Sequence, residues 1–245
     1  MSNELRHNQI LNILSENGSV SIRDLMKSLF VSEATVRRDL SELERRGALK
    51  RTFGGARAIT ETNNQVPLFI RESLDSKAKD EICKAASQLI HDGNTVFLDG
   101  SSTAQYLVKY MAHLKDIVVV TYSIKTAELL CRNHIKTYCA GGLLIGNSLV
   151  CTGQKTLEFA ESINPDICFI SCKGVDEDGK FSDTSEEETA IRRAFMKNSR
   201  RCVLLMTANK FGLSYMHTLC RADEVDHIFS DAPVPEDIIL KLRDR

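Results

Sequence analysis

The 245-residue chain lacks long apolar segments. The longest ones, such as Ile117–Val120 and Val203–Met206, are far shorter than the roughly 20 residues that a membrane-spanning helix needs. The first ten residues, MSNELRHNQI, contain no apolar stretch followed by a small-residue cleavage site, so we expect no secretory signal and a cytoplasmic location. With 42% hydrophobic and 27% charged residues, the composition is typical of one large or two smaller globular domains, without a membrane partner.

The chain also lacks any C-x-x-C pair, although it contains eight cysteines. Several cysteines lie inside apolar segments such as ICFISC and RCVLL, and we interpret the set as reduced, buried thiols. No Cys and His residues have the close spacing that a zinc site uses. We therefore expect neither a metal site nor a bound cofactor.

The chain has little excess charge, since its net charge is −1, and this total alone predicts no polyanionic partner. The distribution is uneven, however. Residues 1–58 hold ten Lys and Arg against seven Asp and Glu, a net charge of +3, whereas the other 187 residues hold 22 against 26, a net charge of −4. The basic excess is densest from Arg37 to Arg57, with seven basic and three acidic residues. A basic segment joined to an acidic one favours nucleic acid as the partner of the N-terminal part.

Residues 1–58 have the pattern of three short helices followed by a hairpin. A first helix is predicted over residues 2–16, before the stop signal Asn-Gly. Ser21 and Ser32 are suited to cap a second and a third helix. Two short strands around Gly54-Gly55 form the hairpin. A helix, a short turn and a second capped helix are the layout of a helix-turn-helix.

The third predicted helix has two different faces. Val36, Leu40 and Leu43 recur at helical spacing and must face a core. The opposite face carries small and cationic residues, as in a helix that enters the major groove, where Arg reads guanine. The hairpin adds basic residues for phosphates and two glycines that let its tip approach the duplex. The predicted DNA-binding residues are Ser32, Glu33, Ala34, Thr35, Arg37, Arg38, Ser41, Lys50, Arg51, Gly54 and Gly55. Glu33 has a second interpretation, in which it only favours the positive end of the helix dipole.

The stretch from Arg6 to Ala56 closely resembles the winged helix-turn-helix domain of the DeoR family of bacterial transcription regulators. The segment VSEATVRRDLSELERRGALKRTFGGA, at Val31–Ala56, carries the most specific part of this resemblance. By resemblance, Val20–Arg38 spans the motif, and the helix that starts at Ser32 is the recognition helix. The resemblance implies sequence-specific binding to double-stranded operator DNA.

A different organisation begins after residue 58. Residues 59–76 are polar and show no sustained period, which predicts a linker that has room for a helical turn at its end. From Lys77 onwards, helices alternate with short apolar strands, as in a mainly parallel sheet covered on both faces. The predicted strands are Thr95–Leu98, Ile117–Thr121, Lys136–Cys139, Ile167–Ser171, Cys202–Met206 and His227–Phe229. The predicted fold class is therefore α/β, with a winged helix-turn-helix domain (1–58), a linker (59–76) and a larger α/β domain (77–245).

Small polar residues follow these strands, at the edge where parallel sheets bind ligands. Residues 99–103 open a predicted helix whose N–H and O–H donors suit an anion, phosphate above all. Two more strand ends repeat the pattern, and two later loops supply lysines for a phosphate and Asp176 for sugar hydroxyls. The predicted effector-binding residues are Asp99, Gly100, Ser101, Ser102, Thr103, Thr121, Ser123, Gly141, Gly142, Lys173, Gly174, Asp176 and Lys210. The alternative is that these residues only cap helices and form turns.

The chain beyond residue 76 resembles the sensor domain of the same family, which is similar in fold to ribose-5-phosphate isomerase. The similar segments are DGSSTAQYL, VVTYS, AGG, CKGVDEDG and LLMTANKFG. The resemblance implies a domain that binds a phosphorylated sugar or a related metabolite. One departure stands in the last segment, where many members have Asp and this chain has Thr207, so a ligand contact at that position is not carried over.

Three functions compete on this basis. The first is a DNA-binding regulator, most simply a repressor of a carbohydrate-catabolism operon, that a sugar phosphate controls. The second is a sugar-phosphate isomerase with an added DNA-binding domain. Such an enzyme needs a carboxylate base and an acid partner, and Asp176 near Lys173 is its one plausible candidate, whereas the isomerase family has a denser acidic cluster and a glycine-rich lysine loop. We therefore expect a regulator and no enzyme. The third is a DNA-binding protein without an effector.

A single small winged domain makes too few contacts for operator-level specificity. We therefore expect a homo-oligomer, a dimer or a tetramer, on half-sites about one helical turn apart. An effector releases the DNA only if it binds two arrangements of this oligomer with different affinity. The sign of the response, the effector and the operator all stay open at this stage.

Overall fold

The computed structural model describes residues 3–58 and 66–242, which fall into two compact units, Met1–Leu74 and Asp75–Arg245. The helices and strands of the first unit are α1 (Asn3–Asn17), β1 (Ser19–Ser21), α2 (Ile22–Leu29), α3 (Glu33–Arg45), β2 (Lys50–Thr52), β3 (Gly55–Arg57) and α4 (Leu68–Ser73). The predicted three helices and hairpin are confirmed. The strand β1 was not predicted, and it pairs antiparallel with β3, so that the wing within residues 3–58 is a three-stranded sheet in the order β1-β3-β2.

The core of the first unit follows from the two faces of α3. Val36, Leu40 and Leu43 are fully buried and pack with apolar residues of α1 and α2. Burial of one such side chain stabilises the fold by about 1.5–3 kcal/mol. Ser21 and Ser32 cap α2 and α3, as predicted, because each hydroxyl oxygen accepts a hydrogen bond from the backbone N–H three residues later.

The second half of the predicted linker is a helix. The helix α4 begins with apolar residues, of which Leu68 and Ile70 are buried. Ile70 lies in the core of the first unit. The guanidinium of Arg46 lies 4.0 Å from the centre of the Phe69 ring. The helical turn expected at the end of the predicted linker is therefore present as α4, and Phe69 and Ile70 pack this segment with the first unit, which extends to Leu74. Residues 59–65 lie outside the described residues.

The second unit alternates helices and strands. Its elements are α5 (Ser76–Ala86), β4 (Thr95–Leu98), α6 (Val108–Met111), β5 (Val118–Thr121), α7 (Ile124–Arg132), β6 (Lys136–Cys139), β7 (Leu143–Ile145), β8 (Val150–Thr152), α8 (Gln154–Ser162), β9 (Ile167–Ile170), β10 (Gly174–Val175), β11 (Lys180–Asp183), α9 (Glu186–Asn198), β12 (Arg201–Leu205), β13 (His217–Arg221), β14 (His227–Phe229) and α10 (Glu236–Ile239). No helix in the described part of the chain is long and apolar enough to cross a membrane.

The main sheet of the second unit is parallel. Among residues 66–242 it has six strands in the order β14-β12-β9-β4-β5-β6, and each neighbouring pair is parallel. The central strands β4, β5, β9 and β12 are largely apolar because helices cover both faces: Val96 and Leu98 pack with α5 and α6, and Phe97 packs with α8 and α9. The chain runs from β4 to β5 and β6, then returns to place β9 on the other side of β4. The carboxyl ends of β4 and β9 therefore form a topological switch point, where such sheets bind ligands.

The six predicted strands are confirmed to within a residue, but several elements were missed. These are the β7–β8 hairpin and the small antiparallel sheet β10-β11-β13. The helix predicted from Ser102 is a 3₁₀ turn at Ala104–Leu107 followed by the short α6. The prediction of buried thiols holds for six cysteines and is wrong for Cys131 and Cys139, which are exposed on α7 and on the edge strand β6.

Candidate nucleic-acid interface and effector crevice

The outer face of α3 is exposed and cationic. Ala34, Arg38 and Ser41 are exposed on the side opposite the buried apolar face. The carboxylate of Glu33 lies 2.7 Å from the guanidinium of Arg37, an i,i+4 pair at the start of the helix. The predicted residues of the recognition helix therefore share one accessible surface.

Arg38 differs from its neighbours on this surface. Arg37 and Arg45 are paired with glutamates on the same helix, whereas no ion pair involves Arg38 among the described residues. A guanidinium without a carboxylate partner keeps its donors for the acceptor edge of a base such as guanine. Arg38 is therefore the residue of α3 best suited to read sequence.

A buried ion pair holds α3 on its buried side, and this pair was not predicted from the sequence. Arg6 of α1 donates two hydrogen bonds to Asp39, at 2.5 and 2.8 Å, and the ring of His7 lies 3.3 Å from the same carboxylate. Burial tends to raise the pKa of Asp39, but the hydrogen bonds and charge of Arg6 outweigh it and hold the pKa below its usual value. The sequence did offer one signal for this ion pair. Asp39 is an acidic residue that lies between the apolar positions Val36 and Leu40 of α3.

The wing is attached to α3 by one of its predicted phosphate-binding residues. The guanidinium of Arg51 donates to the hydroxyl of Ser41 at 2.9 Å, and its backbone N–H donates to Glu44 at the same distance. Lys50 is exposed. Arg51 therefore positions the wing against the recognition helix in addition to its predicted contact with DNA.

The two wing glycines have different roles. A Cβ atom on Gly54 would meet nothing within 4 Å, so close approach to DNA stays a prediction there. Gly55 is buried, and a Cβ atom would lie 2.0 Å from the carbonyl oxygen of Val20. Its prediction as a DNA contact is therefore corrected, because Gly55 permits the pairing of β3 with β1. Phe53, which is fully exposed at the tip of the wing, was not among the predicted DNA-binding residues.

The predicted effector loops lie along one edge of the main sheet. Strands β9, β4, β5 and β6 are neighbours in that order, so the loops that follow them are adjacent. The three strand ends that carry the predicted residues 99–103, 121–123 and 141–142 are therefore neighbours. Lys173 follows β9, and Lys210 follows β12 on the same edge.

Asp99 joins two loops at the switch point. It is fully buried, and its two carboxylate oxygens accept hydrogen bonds from the backbone N–H groups of Ser101 (2.9 Å) and Ser171 (2.8 Å). The predicted direct contact of Asp99 with the effector is corrected on this ground. Asp99 shapes the crevice by holding the loops after β4 and β9 together.

Three of the predicted effector-binding glycines are required by packing. A Cβ atom on Gly100 would lie 2.4 Å from Val150, one on Gly142 would lie 2.2 Å from the hydroxyl of Thr156, and one on Gly174 would lie 2.4 Å from the carbonyl of Leu213. The absence of a side chain at these positions therefore brings protein segments close together. Gly141 is exposed, and its carbonyl accepts a hydrogen bond from Thr156 at 2.8 Å.

The hydroxyl residues of the crevice make local hydrogen bonds. Ser101 accepts from the N–H of Ala104, Thr121 from that of Ser123, and Ser123 caps α7. Ser102 and Thr103 are buried. The regular helix predicted to begin here is a short 3₁₀ turn followed by the four-residue α6, and a contact of Ser102 and Thr103 with phosphate stays a prediction.

Two lysines supply positive charge at this edge. The ammonium of Lys210 donates to the hydroxyl of Ser171 at 2.9 Å, and both lie beside the switch point. Lys173 is half-buried, and its charge contributes to lowering the pKa of Asp183. Thr207, where many family members have Asp, is hydrogen-bonded within its own loop. Its hydroxyl donates to the side-chain oxygen of Asn209 at 2.7 Å.

Asp176 is engaged in local contacts, and its predicted contact with the effector stays a prediction. It belongs to the turn between β10 and β11, where one carboxylate oxygen accepts from the backbone of Asp178 and Lys180. The other oxygen lies 3.5 Å from the ammonium of Lys180. Burial tends to raise the pKa of Asp176, but these hydrogen bonds outweigh it and lower the pKa.

Arg192 is the residue of the crevice that sequence analysis missed. It is almost fully buried on α9 and donates to the carbonyl of Ser171 at 2.6 Å and to Asp183 at 3.0 Å. Burial alone would lower the pKa of Arg192, but Asp183 and further acidic groups raise it, so the guanidinium stays charged. Its spacing from Phe195, on the buried face of α9, is the signal that could have found it.

Comparisons with known proteins agree in both units. Residues 6–62 match the DeoR-like helix-turn-helix domain, and residues 74–232 match the DeoR C terminal sensor domain. The chain is 28% identical to the glycerol-3-phosphate regulon repressor of Escherichia coli (strain K12) over 245 residues, which cover 100% of this chain and 97% of the relative.

Two solved structures align with part of this chain. The first is eIF2B delta from Chaetomium thermophilum, with a TM-score of 0.50 and 15% identity over 65% of this chain and 57% of that chain. The second is ribose 5-phosphate isomerase A from Methanocaldococcus jannaschii, with a TM-score of 0.43 and 16% identity over 56% and 55%.

Proposed function

The chain belongs to the DeoR family of DNA-binding transcriptional regulators, and from this membership we propose that it represses a carbohydrate-catabolism operon under the control of a phosphorylated sugar or related metabolite. One observation carries the proposal: α3 exposes the unpaired Arg38 on a helix whose opposite face and buried ion pair fix its orientation. A base-reading side chain needs such a rigid support, because a displaced donor loses its hydrogen bond.

The crevice at the β4–β9 switch point supports the effector part of the proposal. Lys210 brings a cation to this edge, and the backbone there is held by Asp99 and Arg192. Lys173 and Lys210 add positive charge at this edge, and an ammonium group attracts an anion such as phosphate. A sugar phosphate offers both the anion and hydroxyl groups for the surrounding loops. The name of the relative, a glycerol-3-phosphate regulon repressor, is consistent with such an effector.

We propose that the protein is not an isomerase. A general base near neutral pH needs a carboxyl group whose pKa is raised towards the working pH. The pKa of Asp176 is lowered instead, and both of its oxygens are engaged by the β10–β11 turn and by Lys180. Incubation with pentose and hexose phosphates tests this directly: turnover that disappears in Asp176→Asn would contradict the proposal.

We also propose that the protein acts in the cytoplasm as a homo-oligomer, because its DNA target lies there and a single winged domain has a small reading surface. An effector then changes the spacing of the DNA-binding units by binding one arrangement of the oligomer more tightly.

The experiment is operator binding by the full chain. Fluorescence anisotropy with DNA fragments from beside its own gene should show tight binding that unrelated DNA competes for poorly, with a steep loss of affinity as salt is raised. A panel of sugar phosphates, glycerol 3-phosphate included, should then contain a compound that lowers operator affinity and raises the melting temperature. Inorganic phosphate and the unphosphorylated sugars are the controls.

The crevice is tested with a variant pair. Ser102→Ala combined with Thr103→Ala, and separately Lys210→Ala, should abolish the response to the active sugar phosphate while leaving operator binding intact. Lys197→Ala, on the exposed side of α9, is the matched control. Induction that survives all the crevice variants would place the effector site elsewhere, whereas absent operator binding by the wild type would contradict the regulatory function itself.

A further inference from the structure

The longest stretch of the chain without a charged residue lies on the surface. The eighteen residues from Thr137 to Gln154 contain no Asp, Glu, Lys or Arg, in a chain in which 27% of residues are charged. Eleven of these eighteen residues are exposed. Folded proteins normally place charge on exposed segments to keep them soluble and unpaired, so this stretch needs a reason.

Four of the exposed residues of this stretch are large and apolar. All three residues of β7 are exposed, with Leu143 at 67%, Leu144 at 50% and Ile145 at 37% of their area, and Tyr138 on β6 is 48% exposed. Ile124, at the start of α7, joins them because its N–H donates to the carbonyl of Leu149 beside the hairpin. We call these five residues the hairpin strip.

The hairpin strip lies at a free edge of the main sheet. Among the described strands, β6 is the last strand of the sheet on this side, and β7 is the outer strand of the β7–β8 hairpin. Strand β8 is anchored inwards, since the N–H of Cys151 donates to the carbonyl of Tyr122. The anchored hairpin therefore presents β7 outwards as a fixed surface.

We propose that the hairpin strip is the surface through which two copies of this chain associate about a twofold axis. Residues near such an axis meet their own counterparts, so any charge there faces a like charge. The uncharged stretch has no charge anywhere along its length, so no like charges meet when two copies pair through it. A different partner protein would gain from complementary charges and would not require their complete absence.

The size of the surface is in keeping with the centre of a dimer interface. A standard interface involves about 20–30 residues on each side, with an apolar core and a polar rim. The eleven exposed residues of the uncharged stretch make up about half that number, and the five apolar residues of the hairpin strip supply the centre. Charged residues that flank it, Lys136 on β6 and the Glu128–Arg132 pair on α7, supply a rim.

The position of the strip also links association to the effector. Gly141 and Gly142 join β6 to β7, so one chain segment contributes both to the crevice edge and to the strip. This step rests on the proposed function. An effector that moves the Gly141–Gly142 segment changes the geometry of the dimer, which is what the release of paired half-sites requires.

The test is the mass of the full chain without DNA. Sedimentation velocity of the wild type at micromolar concentration should show a dimer or a larger even assembly. Leu144→Glu should raise the dimer dissociation constant about tenfold or more, because two carboxylates are then brought together. Met216→Glu, which changes an exposed apolar residue outside the strip, is the matched control and should leave the mass unchanged.

A mixing experiment sharpens the result. Equal amounts of Leu144→Glu and Leu144→Lys should form a mixed dimer at concentrations where each variant alone is dissociated. Circular dichroism checks that the variants are folded, and Leu143→Gln is a milder second variant. A monomeric wild type, or an unchanged mass in the folded Leu144→Glu and Leu143→Gln proteins, would overturn the proposal. Because no DNA is present, these outcomes are independent of whether the wild type binds an operator.

Discussion

The side-chain amide of Asn209 donates a hydrogen bond of 3.2 Å to the carboxylate of Asp75. Asn209 lies between Thr207 and Lys210, in the loop that follows β12 at the effector edge. Asp75 is the first residue of the second unit, and it directly follows the segment that contains α4. The bond therefore ties the loop of Lys210 to the point where the chain leaves the sensor unit for the DNA-binding unit.

We predict that Asn209→Ala weakens the response to the effector without weakening operator binding. The variant removes the bond to Asp75 and the bond from the Thr207 hydroxyl, but it touches neither α3 nor the lysine ammonium. The concentration of sugar phosphate that releases half of the operator should rise several-fold, since coupling energies between sites are typically about 1–3 kcal/mol. Anisotropy titrations with and without the effector measure this.

The control for that prediction is Asn133→Ala, an exposed asparagine at the end of α7 that bonds only to its own helix. It should behave as the wild type does. An unchanged effector response in Asn209→Ala would show that the bond does not contribute to coupling.

Arg38→Ala should weaken binding to the operator by about 1–3 kcal/mol and should reduce discrimination between operator and unrelated DNA. The reason is the unpaired guanidinium on the outer face of α3. Arg45→Ala is the matched control, because its guanidinium already pairs with Glu42 at 2.8 Å. Wild-type affinity in Arg38→Ala, measured by anisotropy, would remove the assignment of α3 as the reading helix.

Gly55→Ala should destabilise the DNA-binding unit, whereas Gly54→Ala should not. The added Cβ atom at Gly55 lies 2.0 Å from the backbone of Val20, so β3 cannot keep its pairing with β1. We expect a lower melting temperature and a loss of operator binding together. If Gly54→Ala lowers operator affinity without lowering the melting temperature, the predicted close approach of this residue to DNA is supported.

Asp39→Asn should destabilise the first unit by about 3–5 kcal/mol near neutral pH, because it leaves Arg6 buried without its partner. Since the folded-state pKa of Asp39 is lowered, the stabilisation is present above the unfolded pKa of about 3.9 and is lost as the pH falls through the folded value. The stability difference between wild type and variant should therefore shrink in acid. Urea denaturation of the full chain at several pH values measures it, with the exposed Glu33→Gln as control; an equal difference at every pH would contradict the ion-pair account.

The sequence predicted those features that depend on local patterns. The buried Val36, Leu40 and Leu43 face, the caps at Ser21 and Ser32, and the six strands all follow from periodicity and local hydrogen bonding. The helix-turn-helix surface was predictable for the same reason, since one face of a helix is determined once the other is known to be buried.

The rest depends on contacts between distant residues. Asp99 looked like a ligand residue because it follows a strand, yet it bonds to Ser171, which lies 72 residues further along the chain. Arg192 is one of several charged residues of α9, and the sequence does not distinguish it from the exposed ones. Gly55 and Gly54 are equivalent in sequence, and only the pairing of β3 with β1 distinguishes them. Short strands such as β7 and β10 carry too few residues for a period to be detected.

The Arg6–Asp39 pair separates the support of α3 from the side of α3 that is predicted to read DNA. Substitutions on the outer face of the helix leave this internal attachment in place, so we expect them to alter which bases are preferred without changing the angle of the helix. The exposed positions of α3 can therefore change one at a time during evolution without loss of the fold. Regulators that share this fold can in this way come to recognise different DNA sites.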